Sequence, residues 1–529
     1  MAEVNRAEDV RPPDSYLPYL LEISGELDVT DFHVGSGAKL SLATDAPVLR
    51  DFAGLPYLPA SSLRGILRAH VEREAAFLVQ EPLKRCAALF GETPSRTDDT
   101  ISRAGRLRIF DAAPPERLGR HSEVRDHVKI DQKYGAASDT GKFDQEVASS
   151  ATMRFRLVYE GDSADDRELG LVGEMIRALE AGELSCGAKG GLGYGRLTLT
   201  GTGYADFDRR SPEALAAWLG ARTGKATPAI RKTFAWHGPD APPGTESESA
   251  QSRLDLEIRI QFEGPVLVRA PIPPAASLKE FDALDRHKDV EKGLVTADQT
   301  FVRTGDAETA RYYLPASSLR GVLRHQTYRI AATMLGAGGE ALVTELFGDV
   351  AGGRAVKGRI EICEGRLAGE ARPVYLDHVA IDRLTGFAAD SKKFSTCGLE
   401  SPAFTTSIRL RFDARQDRGG EEHARPGLRA LALAAFAIRD WMEGMLWCGG
   451  ATSRGYGYMK SVTITKSTLD WAVQGEDAVP DDFLPDAARN PRPGHSVVSR
   501  EGPIPWDSWL WSLASAAWRA GLPKKGDGQ

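Results

Sequence analysis

Hydrophobic and polar positions alternate most cleanly over "LDLEIRIQFEG" from Leu254, where every second residue is apolar. That spacing predicts a strand with one buried face. After Leu314 the period lengthens. Leu319, Val322 and Leu323 form a helical stripe behind Ser317 and Ser318, two residues of N-cap type. "GRIEICEGRL" and "TSIRLRFDA" are the middle strands, "LRALALAAFAIRDWMEGML" is a second helix, and "YMKSVTITK" closes the series as a strand.

The series is written twice. "YLPASSLRGILR" begins at Tyr57 and "YLPASSLRGVLR" at Tyr313, differing only at Ile66 and Val322. "CAALFGE" follows the first and "VTELFGD" the second. "DHVKIDQKYGAASDTGKF" from Asp126 answers "DHVAIDRLTGFAADSKKF" from Asp377, and "CGAKGGLGYGRL" from Cys186 answers "CGGATSRGYGYM" from Cys448. Four blocks in one order imply a duplicated module. Strand, helix, two strands, helix, strand is the order of the split βαβ, or ferredoxin-like, unit. The predicted fold class is therefore α+β, with two tandem modules over 16–210 and 253–466. Between the middle strands, the stretch with the Asp-His-Val block is an excursion from the sheet. A linker region is expected over 211–252, ending in the Pro-, Ser- and Glu-rich "PDAPPGTESESAQSR", and a C-terminal extension over 467–529. That extension gathers Trp506, Trp509, Trp511 and Trp518 around a short helix, expected to dock on its own domain.

Composition narrows the classes. A net charge of −7 argues against a nucleic-acid coat over the whole surface but leaves room for a local basic groove. The five cysteines form no CxxC pair, so no zinc finger is expected, and their dispersal fits a reducing cytoplasm. The acidic, polar "MAEVNRAEDVRPPDS" does not read as a secretory signal, and no apolar run reaches the roughly 18 residues a membrane helix needs.

The repeated blocks carry candidate chemistry. Arg64 and Arg68 lie four apart on one helical face, as do Arg320 and Arg324. With the hydroxyls of Ser61, Ser62, Ser317 and Ser318 and the free N–H groups of the first turn, they predict an anion seat. The plainer alternative is a solvated basic face, with Glu72 four residues beyond Arg68. The Gly loops present Lys189, Gly190, Gly191 and Arg196 in one copy, and Gly449, Gly450 and Arg454 in the other. Their strand follows the loop instead of preceding it, which excludes a Walker or dinucleotide fingerprint. Beside the anion seat they predict a track for a sugar–phosphate chain.

Together, "LPASSLRG", "LFG", an aspartate-bearing loop before the first helix and "GGLGYG" resemble the RAMP superfamily, and within it the backbone subunits of type III CRISPR interference complexes. The resemblance spans about residues 16–205 and 253–466. It implies RRM-like ferredoxin modules that bind crRNA, a thumb hairpin inserted in each module that splays a nucleotide of the paired single-stranded target RNA, and neighbouring effector-complex subunits as partners. It also implies metal-dependent target cleavage, with Asp45 and Asp298 as catalytic residues that hold Mg²⁺ or Mn²⁺. Each aspartate stands five residues before an arginine, Arg50 or Arg303. The expected reaction is attack of a ribose 2′-OH on the adjacent phosphate. A carboxylate of ordinary pKa, about 4, is a poor base for that step and a natural metal ligand. The second copy has "VLVRAPIPPAA" where the first has "FHVGSG", so the two loops are built differently. His127 and His378 fall at the thumb, with a contact or acid–base role. Lys129, Lys133, Arg383, Lys392 and Lys393 are candidate phosphate contacts there. Alternatives are a non-catalytic crRNA-binding scaffold, or a crRNA-maturation endoribonuclease working alone.

Overall fold

Residues 17–35, 44–78, 81–91, 104–115, 122–130, 137–224, 229–236, 252–269, 297, 299–304, 311–351, 354–412, 426–472, 488–489 and 495–501 are described by the computed structural model. The first half runs β1 (Tyr19–Val29), α1 (Ala60–Leu78), α2 (Pro82–Phe90), β2 (Leu107–Ile109), β3 (Ser122–Ile130), β4 (Ala137–Ala148), β5 (Ala151–Gly161), α3 (Glu168–Glu180), β6 (Leu184–Ser185), β7 (Arg196–Asp208) and α4 (Pro212–Arg222). The second runs β8 (Ser252–Glu263), β9 (Pro265–Val266), β10 (Gln299–Thr300), β11 (Arg303–Thr304), β12 (Arg311–Leu314), α5 (Ala316–Leu335), α6 (Gly339–Phe347), β13 (Asp349–Ala351), β14 (Arg354–Val356), β15 (Ile360–Ile362), β16 (Gly365–Leu367), β17 (Arg372–Ile381), β18 (Ala388–Glu400), β19 (Ala403–Phe412), α7 (Pro426–Met442), β20 (Tyr458–Ala472), β21 (Ala488–Arg489) and β22 (His495–Glu501).

Two mixed α/β halves share one antiparallel plan. The first sheet is ordered β2-β5-β1-β7-β6, and the second places β15 and β16 beside β19, then β8 and β20. In both, the first strand of the half sits centrally, between the strand before the second long helix and the strand after it. Period-two patterning explains the layers. Leu254, Leu256, Ile258, Ile260 and Phe262 of β8 are all buried in one core with α7. In the first half, Leu63, Leu67 and Val71 recur every fourth residue of α1 and are at most 1% exposed. Each such burial stabilises by roughly 1.5–3 kcal/mol.

The helix starts differ from the expectation that serines cap them. The first helical residues are Ala60 and Ala316, each preceded by proline, and the serines stand inside the first turn. Proline before the helix fixes the entry backbone. The Ala60 N–H is taken by Asp111 Oδ1 at 2.6 Å, so a carboxylate from beyond β2 does the capping in the first half.

The Asp-His-Val excursions are hairpins. β3 and β4 form a two-stranded sheet, tied to the first half by a bridge between Ala148 and Phe32, whereas β17 and β18 extend through β9 and β10. Two further differences concern the flanks. The region expected as linker contains α4, and the chain returns through a bridge between Arg231 and Tyr204, setting Trp236 against Tyr204 at 5.6 Å. The expected C-terminal extension contributes the end of β20 and β22, which lengthen the second sheet. The tryptophans from Trp506 to Trp518 lie outside the described residues.

Candidate nucleic-acid interface

Asp45 is exposed on the loop that leads to α1, and that loop is laced to the first hairpin. Its N–H donates to Asp144 Oδ1 at 2.6 Å, and Asp144 N–H donates back to Asp45 Oδ2 at 3.2 Å. Thr44 Oγ1 adds a bond to Asp144 Oδ1 at 2.7 Å. These donors hold the Asp144 carboxyl below its ordinary range, the Asp45 backbone bond first. Five residues on, Arg50 donates to Glu146 Oε1 and to Ser122 Oγ, while Glu146 Oε2 accepts from Val48 N–H at 2.8 Å. The aspartate is thus fixed at the root of β4. Asp298 lies outside the described residues, but the adjacent Gln299 and Thr300 pair with Thr396 and Cys397 of β18, so the second loop is tied to its hairpin as well.

The two Gly loops fold alike. Lys189 and Ala451 both take left-handed backbone, φ 60° and 58°, and each leads into a 3₁₀ turn. Gly195 and Gly457 are forced. A Cβ would stand 1.9 Å from the Cys186 carbonyl oxygen and 2.0 Å from that of Cys448, at φ 64° and 76°. Their surroundings differ sharply. The first loop packs on the second half: Arg320 Nη1 donates to the Gly191 carbonyl at 3.0 Å. Thr452 to Gly455 of the second loop are exposed, with Arg454 over the Phe394 ring at 5.0 Å.

A RAMP superfamily profile matches residues 28–198 and 296–460, one stretch in each half. The chain belongs to the RAMP superfamily. None of the curated proteins matches it.

In this RAMP protein the arginines of the repeated helices do structural work. Arg64 donates to the Phe90 carbonyl and Arg320 to the Phe347 carbonyl at 2.5 Å, each guanidinium also lying over the same phenylalanine's ring. Those carbonyls end α2 and α6, where the helix dipole favours a cation. The "SSLRG" and "LFG" blocks are therefore two halves of one contact, made twice. This corrects the expectation of an anion seat at Arg320. Its guanidinium is committed to Gly191, Phe347 and Ile360 carbonyls, and burial lowers its pKa to about 10. Arg68 pairs with Glu72 at 2.7 Å, as the plainer alternative held. Arg196, read as part of the phosphate track, instead bonds Glu361 and the Cys363 thiol across the halves. Arg324 carries a buried Nε with no partner among the described residues. Ser61 and Ser62, half-exposed Ser317 and Ser318, and Gly190, Gly449 and Gly450 line the loops as main-chain turns and helix starts.

The two recurring histidines occupy matching places with different bonding. His127 stacks on Phe143 at 5.1 Å and His378 on Phe394 at 4.8 Å, each across its hairpin. His378 Nε2 meets Thr396 Oγ1 at 2.9 Å and the Tyr456 hydroxyl at 3.2 Å. His127 Nε2 and Lys189 Nζ are both buried without a partner among the described residues. Burial, then Lys189 and Arg125, pushes His127 down to about 4, and burial lowers Lys189 to about 8. Along the second hairpin, Leu384 is 97% and Phe387 77% exposed near Arg383 and Lys392, an apolar and basic tip. Lys393 pairs with Asp377 at 3.4 Å. Lys133 and the Lys129 side chain lie outside the described residues.

Sequence reading missed Arg125. It is 6% exposed and joins Asp31 Oδ2 at 2.8 Å, Glu123 Oε1 at 2.5 Å, the Tyr194 hydroxyl at 2.7 Å and the Glu364 carboxylate, with its guanidinium 5.0 Å from the Tyr313 ring centre. Glu364 and Tyr313 belong to the second half, so this residue pins the halves together. Its trace in the sequence was a difference between the copies, Leu376 standing where Arg125 does. No group of three or more potential metal ligands occurs among the described residues. Asp45 and Asp144 nevertheless present two carboxylates side by side, a donor set that suits a hard divalent ion completed by phosphate oxygens and water. No helix among the described residues is long and apolar enough to cross a membrane.

Proposed function

We propose that this RAMP protein is a backbone subunit of a type III CRISPR effector complex, with two ferredoxin-like modules that hold crRNA and cut the target RNA paired to it. The β3–β4 and β17–β18 hairpins serve as thumbs. Leu384 and Phe387 supply apolar contacts to bases, and Arg383 and Lys392 contacts to phosphate.

The observation that carries this reading is the reciprocal Asp45–Asp144 pair, which fastens an exposed aspartate to the root of a hairpin. A nucleotide splayed at that root has its 2′-OH free to line up with the adjacent phosphate. The 2′ oxygen bonds to phosphorus, its proton passes to solvent, and the bond to the 5′ oxygen breaks. The products are a 2′,3′-cyclic phosphate and a protonated 5′-OH. Mg²⁺ or Mn²⁺ held by Asp45 and Asp144 would supply charge neutralisation at the phosphate. His127 enters this scheme as a neutral thumb contact, because its lowered pKa leaves it uncharged at pH 7.

A non-catalytic scaffold is the second reading. It is favoured by the bond that Asp45 Oδ2 already accepts, which by itself accounts for an aspartate in a turn. Reconstituting the complex with Asp45→Ala and Asp298→Ala decides between them. Loss of target cleavage opposite both modules with crRNA retained supports catalysis, and unchanged cleavage leaves only the scaffold.

A further inference from the structure

The seam between the halves holds an open cleft of about 420 Å³, away from the hairpins and the Asp45 loop. Single small-ligand sites occupy roughly 300–1,000 Å³. Its walls come from α1, from the chain around β6, and from five places in the second half, near Arg253, Glu345, Lys357, Arg411 and Asp470.

The lining holds five cationic side chains against four carboxylates. Two of those carboxylates are taken: Glu183 by Arg177 and Arg253 at 3.0 and 3.1 Å, and Glu345 by Arg359 at 2.7 Å. Glu74 and Asp470, both under a tenth exposed, are also engaged by neighbouring groups. The remaining cations are Arg73, Lys357 and Arg411. Arg411 Nη2 donates to the Glu183 carbonyl at 2.9 Å and stands 3.8 Å from Glu361, a carboxylate that Arg196 already binds more closely. The bond found for Arg73 is a 3.4 Å contact to His70 Nδ1. Lys357 has no acceptor among the described residues. It is exposed on the cavity wall, and partial desolvation, then Arg411 and Arg73, lowers its pKa. The lining as a whole carries one more cation than carboxylate. Ile66, Ala69 and Leu184 give one apolar wall.

We propose that the seam cavity binds a small phosphate-bearing ligand of nucleotide size, its phosphate held by Lys357, Arg73 and Arg411 and its ring against the Ile66–Leu184 wall. Two guanidiniums and an ammonium converging from three elements match phosphate better than a single carboxylate, because guanidinium forks pair two phosphate oxygens at once. The site uses none of the residues assigned above to RNA.

Isothermal titration of the full chain with ADP and with inorganic pyrophosphate tests this. Saturable binding is expected with Kd below about 1 mM. Lys357→Ala and Arg73→Ala are each expected to weaken it by about tenfold or more, with thermal midpoints unchanged. Absence of saturable binding by both probes, or binding that both variants leave intact, overturns the proposal. A single-stranded RNA of about 20 nucleotides forms the second arm. If it displaces ADP, the phosphate seat stands and its source is RNA; if ADP stays, the source is a free nucleotide. RNA binding retained by a protein that fails with ADP and pyrophosphate sinks this inference alone and leaves the RNA-guided reading untouched.

Discussion

Replacing Arg125 with methionine keeps the length of the side chain and removes its charge. The guanidinium is 6% exposed and serves Asp31, Glu123 and Glu364, so the change strands three carboxylates. Asp31 and Glu123 are about a quarter exposed and Glu364 about a fifth, so each regains only part of its hydration. Breaking a buried ion pair by removing one partner costs about 3–5 kcal/mol. We expect that loss in urea unfolding at pH 8. Burial already raises Glu364 to about 7 against the lowering by Arg125. Without the arginine it rises further, so the carboxyl is neutral and tolerated at low pH and charged at high pH. Its contribution is thus intact below the ordinary carboxylate range and lost as pH climbs through 7, which makes the variant's penalty smaller at pH 6 than at pH 8. A double-mutant cycle with Glu364→Gln should return a coupling of about 1–3 kcal/mol. A penalty under about 1 kcal/mol with no pH trend would refute the argument that this arginine locks the seam.

Gly195→Ala and Gly457→Ala should each cost at least about 2 kcal/mol in chemical unfolding, since a methyl group meets a carbonyl oxygen at about 2 Å in both loops. Lys189→Met should stabilise the protein at pH 7. The folded ammonium titrates near 8 against an ordinary 10.5, so the gain should shrink as pH rises between those values, followed by thermal melts. Arg64→Ala and Arg320→Ala should both loosen the short helices α2 and α6, read as faster amide exchange at Phe90 and Phe347.

Strands β8 and β19 and helices α5 and α7 were legible because burial on one face writes its period into the chain, and duplication gave each block a control. The hairpins were not read as strands from their own pattern: β17 holds only half-buried and exposed residues, so it has no buried apolar face to display. Helix starts were misread because serine is an N-cap type, while the true cap, Asp111, arrives from 51 residues away. Arg64, Arg196 and Arg320 show a deeper limit. A cation in a sequence looks the same whether it meets phosphate, a carboxylate or a backbone carbonyl, and only the folded position of Phe90, Glu361 and Phe347 tells which. Asp45 was placed by resemblance, and its bond to Asp144, 99 residues distant, had no local trace.

The seam also determines what its outer ends can do. Glu361 and Glu364, which receive Arg196 and Arg125, correspond to Arg108 and Asp111 of the first half. Arg196 and Arg125 correspond to Tyr458 and Leu376 of the second. Two chains set end to end in the seam's geometry would bring Arg108, already paired with Glu160, to a tyrosine and Asp111, already capping α1, to a leucine. Head-to-tail joints grow indefinitely only when each end recognises the other. Here the two copies have diverged at the four seam positions, so the pairs that join the halves within one chain are not available to join two copies of it.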